Sequence, residues 1–152
     1  MHLIKYASPT RNLYFYKSAK FKSDIDTYEV LKKAKVGAIR NVFYSPSFSK
    51  LDNKTLILVD KTEQLLAMLE LGRIDAAVTS AYHYQERFSP RFEKVSLVDS
   101  FINPMYISIS KKSKVAKYHP KVSALMLEYR KTGKVDQYFE KHGLPVPAQV
   151  FD

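Results

Sequence analysis

Residues 65–82, LLAMLELGRIDAAVTSAY, constrain the fold more than any other part of this 152-residue chain. Leucine and methionine recur at helical spacing through residue 71, and Gly72 follows where a left-handed residue would end a helix. Residues 74–78 then form a short apolar run, which is typical of a strand buried on both faces. A helix that leads directly into a buried strand predicts an α/β fold.

The rest of the chain continues this alternation. The pairs Asp26 with Glu29 and Asp60 with Glu63 have the capping-box spacing, so we expect helices to begin there and to end near residues 34 and 71. We also expect strands at 12–17, 36–39, 55–59, 95–98 and 105–110, and helices at 45–51, 80–88, 120–131 and 135–142. This order predicts a parallel-rich sheet, with ligands beyond the carboxyl ends of its strands in loops 40–45, 60–62 and 79–82.

Composition limits the classes of protein. The length suits one domain or two small ones, and an apolar fraction of 45% with 26% charged residues is that of an ordinary globular protein. Without cysteine there is no disulfide framework and no thiol chemistry. No run approaches the roughly 18 apolar residues of a membrane span, and we expect no signal peptide within the chain.

The net charge of +10 is concentrated at the two ends of the chain. Residues 1–40 carry an excess of six positive charges and residues 101–152 an excess of five, whereas residues 41–100 are nearly neutral. A basic face of this kind is either an ordinary solvated surface or a binding surface for nucleic acid or another anionic partner. The densest cluster, residues 111–121, has no arginine and aromatic interleaving, so nucleic acid is the less expected partner.

Five sequence blocks occur in an order that resembles one known family. They are LYFYK, LKKAKVGAIR, TEQLLAMLELGRIDAAV, FINPMYISISKKS and KTGKVDQYFEKHG, and together they cover residues 14–143. The chain thereby resembles the family 3 extracellular solute-binding proteins, the type II periplasmic binding proteins of amino-acid ABC uptake. The implied fold class is α/β, periplasmic-binding-protein-like II, with a complete second lobe and a partial first lobe.

The resemblance also implies a domain organisation and partners. Residues 1–23 would be an N-terminal remnant with the first crossover strand, residues 24–100 the second lobe, and residues 101–152 the return crossover with the C-terminal helices of lobe one. Most of lobe one would be missing, so we expect a truncated protein that self-associates through the apolar surface left uncovered. By resemblance it would be periplasmic, would serve an ABC permease, and would bind a small polar ligand, either an amino acid or another small anion.

The resemblance places ligand-binding residues in two of the loops. In family members a Gly-Thr-Ser-like loop holds the ligand carboxylate, and here those positions are Asn41, Val42 and Phe43. An aspartate that pairs with the ligand ammonium is replaced by Ser80. The resemblance therefore does not imply that this chain binds a standard α-amino acid, because the buried ammonium of such a ligand would lack its counter-charge. The expected ligand-binding residues are Arg40, Asn41, Val42, Phe43, Ser80 and Tyr82.

Several of these residues also have structural interpretations. Arg40 could clamp a carboxylate, or it could be a solvated or bridging charge at a strand end. The aromatic residues near the two loops could stack on a ligand or serve as packing. Asp75 is more consistent with local pairing at the start of a strand than with a ligand contact.

Enzymatic, cofactor and metal chemistry have little support. The chain lacks the nucleophile-elbow, P-loop and dinucleotide-binding motifs, and it has only four glycines. Its four histidines, at positions 2, 83, 119 and 142, are scattered and predict no metal site. We therefore predict a solute-binding-like protein without catalytic activity, cofactor or metal. The alternative is a regulatory module that binds nucleic acid or an anionic surface through its basic terminal segments.

Overall fold

A computed structural model of the chain describes residues 1–80, 84–149 and 151. It divides the chain into two compact units. Unit 1 consists of Met1–Thr10 and Ile102–Asp152, and unit 2 consists of Arg11–Phe101. Tyr82, one of the expected ligand-binding residues, lies outside the described residues.

Unit 2 is built on a five-stranded mixed sheet. Its strands are β2 (Thr10–Lys17), β3 (Val36–Ile39), β4 (Leu56–Val59), β5 (Ala76–Ser80) and β6 (Glu93–Ile102), in the spatial order β4-β3-β5-β2-β6. β3 runs parallel to both β4 and β5, whereas β2 is antiparallel to β5. The helices of this unit are α1 (Tyr28–Leu31), α2 (Thr62–Leu71) and α3 (Gln85–Phe88), with a 3-10 turn at Phe48–Lys50.

The sheet of unit 2 has an apolar core on each face. One face packs Phe15 and Val78 with Leu31 and Phe48, and the other packs Tyr16 with the buried leucines of α2. All five residues of β5 are buried, which confirms a strand covered on both sides. Gly72 has φ 65 and ends α2, as the sequence predicts.

Unit 1 contains a two-stranded antiparallel sheet and the C-terminal helices. β1 (His2–Ala7) pairs with β7 (Met105–Ile109), and Ile4 lies opposite Ile107. A 3-10 turn at Lys114–Tyr118 leads into α4 (His119–Lys131), which packs against β1, and α5 (Lys134–Lys141) follows after Gly133. The sequence pattern did not predict β1.

Both predicted capping boxes are wrong in detail. The cap of α1 is Thr27, whose hydroxyl accepts a hydrogen bond from the Val30 amide, while Glu29 forms an ion pair with Lys32. Asp26 therefore has no part in the cap.

In α2 the N-cap is Lys61 instead of Asp60. The side-chain oxygen of Gln64 accepts hydrogen bonds from the amides of Lys61 and Asp60. Glu63 is held by Arg87 instead, at 2.8 Å. In both helices the glutamate that the pattern assigned to capping forms an ion pair.

Two predicted helices are also shorter than expected. Residues 45–51 form only the 3-10 turn, because Phe48 turns inward to pack in the core. The helix predicted at 80–88 is described only as α3, and Ser80 itself belongs to β5, where it pairs with Leu13 of β2.

Candidate functional site

The carboxyl ends of β3, β4 and β5 lie together at one end of the sheet in unit 2, which we call the ligand edge. The parallel register places Ile39 opposite Val59, and Val36 opposite Ala76. Arg40 and Asp60 therefore follow neighbouring strands at the same edge, and Ser80 ends the third strand there. This is the edge at which open α/β sheets bind ligands.

Arg40 is held at this edge by contacts with β4. Its guanidinium forms an ion pair with Asp60 at 3.1 Å and donates a hydrogen bond to the carbonyl of Leu58 at 3.3 Å. Both charged side chains are more than half exposed, so the pair contributes no more than about 1 kcal/mol to folding. The contacts favour a bridging charge over a free carboxylate clamp.

The loop after β3 turns sharply and presents apolar side chains. Asn41 adopts φ 61, a left-handed conformation that asparagine tolerates better than most residues. Val42 and Phe43 are both exposed, and the ring of Phe43 meets that of Phe101 edge-on, with centroids 6.1 Å apart. The loop therefore offers one aromatic face to solvent.

Tyr44 holds this loop against the core of unit 2. Its hydroxyl oxygen accepts a hydrogen bond from the Ile39 amide at 2.9 Å, and its ring packs against Phe48. Burial raises the pKa of the Tyr44 hydroxyl. The side chain is therefore packing, one of the two roles considered for the aromatic residues here.

Asp99 also holds this loop in place, through contacts that the sequence did not indicate. This residue of β6 accepts hydrogen bonds from the hydroxyls of Tyr28 and Ser45. Burial, together with the Asp99 hydrogen bond and charge, raises the pKa of Tyr28. No local pattern indicates this cluster, because its three members are separated by up to 71 residues.

Ser80 is the polar residue at this edge whose side chain remains available. It is 9% exposed, and its hydroxyl has no hydrogen-bond partner in the described part of the chain. A buried hydroxyl without a partner carries a desolvation cost, which a ligand atom can relieve. Ser80 and Asn41 thus lie at the predicted edge, and the placement of Tyr82 stays a prediction.

Asp75 and two of the histidines make contacts that indicate structural roles. The carboxylate of Asp75 accepts a hydrogen bond from the Lys35 amide at 2.7 Å, which confirms the structural interpretation. The histidines are not all scattered, because the rings of His2 and His119 stack with centroids 4.4 Å apart in unit 1. Across residues 1–80, 84–149 and 151, no three metal-binding side chains come together.

None of the helices in the described part of the chain combines the length and the apolar character needed to cross a bilayer.

Comparison with known proteins identifies the fold. No protein-family model and no curated protein sequence matches the chain. Among solved structures, an ancestral arginine-binding protein bound to arginine is 22% identical, with a TM-score of 0.57 over 91% of this chain. The fold is that of the type II periplasmic binding proteins. The predicted α/β fold class is thereby confirmed.

Two further solved structures have the same fold. The arginine-, lysine-, histidine-binding protein ArtJ from Geobacillus stearothermophilus is 14% identical, with a TM-score of 0.54 over 92% of this chain. An amino acid ABC transporter substrate-binding protein from Streptococcus pneumoniae, bound to L-arginine, is 19% identical, with a TM-score of 0.52 over 90% of this chain. All three are solute-binding proteins.

The chain spans about three fifths of these structures. It covers 62% of the ancestral protein, 62% of ArtJ and 58% of the streptococcal protein.

Proposed function

We propose that this chain is part of a solute-binding protein of an amino-acid-type ABC uptake system, acting in the periplasm or outside the cell. We further propose that unit 2 binds a small polar ligand at the edge formed by the ends of β3 and β5. The fold and the functions of the similar structures support the first statement. The buried, unpartnered hydroxyl of Ser80 is the observation that carries the second.

The ligand is a small anion or neutral polar molecule in preference to a standard α-amino acid. Where the resembling family places an aspartate for the ligand ammonium, Ser80 supplies an uncharged hydroxyl. An ammonium buried there would lack a counter-charge, whereas the Ser80 hydroxyl can exchange hydrogen bonds with a neutral polar group or donate to an oxygen of a small anion whose charge stays solvated. Tyr82 completes this group of ligand contacts in our proposal.

Asn41 and Phe43 would complete one side of the site. The left-handed turn at Asn41 carries the chain from β3 into a loop whose next residues are exposed. The exposed ring of Phe43 offers an apolar face to the carbon skeleton of a ligand. The chain spans 62% of the ancestral arginine-binding protein, and lobe closure normally supplies most of the ligand burial. We therefore expect this chain by itself to bind weakly, with a dissociation constant of about 1 mM or more.

A titration followed by amide NMR tests this proposal. We would add each common amino acid, succinate and citrate at constant pH and ionic strength. We expect saturable shifts of the Ser80 and Asn41 amides for at least one carboxylate. Ser80→Ala should abolish these shifts without loss of stability, because it removes a hydroxyl that has no partner in the described structure.

Ser8 provides the matched control. It is also a buried serine whose hydroxyl has no partner among the described residues, but it belongs to unit 1. Ser8→Ala should leave the titration unchanged. If no compound shifts these amides, or if Ser80→Ala binds as the parent protein does, the proposed site is wrong.

We also propose that two copies associate through unit 1. Its two-stranded sheet exposes Leu3 on the face opposite that of Ile4 and Ile107, and its helix α4 exposes Leu125 and Leu127. A second copy would remove this surface from water, a gain of roughly 25 cal/mol for each Å² of apolar area. Light scattering at increasing protein concentration should show a dimer, and a single monomeric mass throughout would refute this association.

A further inference from the structure

A cavity of about 210 Å³ lies in unit 2, away from the proposed ligand edge. Lys17, at the end of β2, lines it. Because β2 is antiparallel to β5, Lys17 lies opposite Ala76, at the start of β5, whereas Leu13 lies opposite Ser80. Four residues of strand, or about 13 Å, separate these two ends of the sheet.

Lys17 is a buried cation with Glu93 as its ion-pair partner, and its charge also acts on the carboxylate of Asp24. Its side chain is 9% exposed, and its ammonium lies 3.3 Å from the carboxylate of Glu93 and 3.4 Å from the carbonyl of Ser23. Strong charge-assisted hydrogen bonds are shorter, at about 2.7–2.9 Å. The Glu93 side chain is 71% exposed, so it offers Lys17 a well-solvated and mobile partner. An ammonium has three donors, and these two long contacts leave capacity for a third acceptor.

Two further cations line the same cavity. Arg91 lies over the ring of Phe92, with its guanidinium carbon 5.5 Å from the ring centroid, and it is paired with Glu70. The ammonium of Lys22 donates to the Ala19 carbonyl at 2.9 Å, so it is held near the cavity mouth. Three cations thus line the cavity, with Glu93 as the acidic residue in its lining and Glu70 as the ion-pair partner of Arg91.

Phe21 and Phe92 also line the cavity, beside the three cations. The volume is large enough to hold several water molecules. It accommodates a tetrahedral oxyanion together with a small organic group.

We propose that this cavity binds a small multivalent oxyanion, a phosphate or a phosphate monoester. A divalent oxyanion can bridge Lys17, Lys22 and Arg91 at once, whereas a monovalent carboxylate balances only one of them. Glu93 competes with the anion for Lys17. The site is separate from the ligand edge, so this inference does not depend on the proposed function.

Calorimetric titration of the full chain tests the proposal. Inorganic phosphate, glycerol phosphate and acetate would be compared at constant ionic strength, with chloride as the balancing ion. We expect saturable one-to-one binding of inorganic phosphate, of glycerol phosphate or of both, and weaker binding of acetate. Equal affinity for acetate, or no binding of either phosphate compound, would overturn the proposal.

Two substitutions with opposite expected effects localise the site. Lys22→Met should weaken phosphate binding about tenfold, the loss of one charge-assisted contact. Glu93→Gln should strengthen binding severalfold, because it removes the competing carboxylate and retains the side-chain shape. Both residues are exposed, so the variants should fold.

Lys111→Met is the matched control, an exposed lysine in unit 1 with the same change of charge. It should leave phosphate binding unchanged. If Lys111→Met weakens binding as much as Lys22→Met does, the phosphate responds to the net charge of the chain and the cavity site is refuted. Lys17→Met should abolish binding, and circular dichroism would verify that this variant with a changed buried residue is folded.

Discussion

The close approach of α2 to the sheet depends on Gly37 in β3. A methyl group added there would lie 2.6 Å from Cδ1 of Ile74 and 2.7 Å from Cδ2 of Leu65. Both side chains are essentially fully buried, so neither can move aside into solvent. Gly37→Ala therefore forces the core between α2 and the sheet to repack.

The expected cost follows from two opposing terms. Overpacking a closed core costs about 1–3 kcal/mol. Replacing glycine by alanine within a strand returns about 0.5–1 kcal/mol, because the unfolded chain loses freedom. Because two buried side-chain atoms would lie within 3 Å of the added methyl group, the upper half of the overpacking range applies. We therefore expect Gly37→Ala to lower the free energy of unfolding by about 1–2 kcal/mol, measured by urea denaturation with circular dichroism.

A second substitution tests whether the contact with Ile74 is the cause. Ile74→Val removes Cδ1, the atom nearest to the added methyl group, and by itself should cost about 0.5–1.5 kcal/mol. In that background Gly37→Ala should cost less than about 1 kcal/mol. The double variant should therefore be more stable than the sum of the two single changes predicts.

Two results would refute this reasoning. One is an unchanged free energy of unfolding for Gly37→Ala. The other is strict additivity, within about 0.5 kcal/mol, of the two substitutions. Hydrogen exchange of the β3 amides would show whether the loss lies in unit 2, since local opening there should become easier.

Three further predictions concern the supports of unit 2. Tyr28→Phe should lower the free energy of unfolding by about 1–2 kcal/mol, because Asp99 loses a hydrogen bond, and unchanged urea denaturation would contradict this. Hydrogen bonds from Ser96 lower the pKa of Asp24 in the folded protein. Ionised Asp24 therefore stabilises the fold above its unfolded pKa of about 4, and this stabilisation is lost as the pH falls through the lower folded pKa. The difference in unfolding free energy between the parent protein and Asp24→Asn should therefore shrink below pH 4; a difference that grows on acidification would contradict the sign. Gly72→Ala should lower the free energy of unfolding by about 1–2 kcal/mol, because alanine is strained at the left-handed φ of 65 found there. The thermal midpoint should therefore fall, and an unchanged midpoint would contradict this strain.

Much of unit 2 could be predicted from local patterns. The helix ending at Gly72 and the strand around Gly37 lie where the sequence indicates, and the buried strand predicted at 74–78 is shifted by two residues to Ala76–Ser80. Helical spacing, a left-handed terminus and a short apolar run are properties of neighbouring residues, so they can be read without knowledge of the fold.

The site was less predictable than the strands that carry it. The sequence placed Arg40 and Ser80 at one sheet edge, but it left open whether Arg40 is a ligand clamp or a bridge. The contact with Asp60 depends on the register of β3 against β4, which no local pattern specifies. The support from Asp99 was missed because β6 comes beside the loop only in the folded chain.

The sequence by itself determined the α/β class, the order of most elements and the resemblance to solute-binding proteins. Tertiary structure decided the pairing of β1 with β7, the position of β2 beside β5 and the residues that cap α1 and α2. The physical reason is the range of the interactions involved. Helical periodicity and turn geometry act over a few residues, whereas strand pairing, ion pairs and buried hydroxyls depend on partners up to about a hundred residues away.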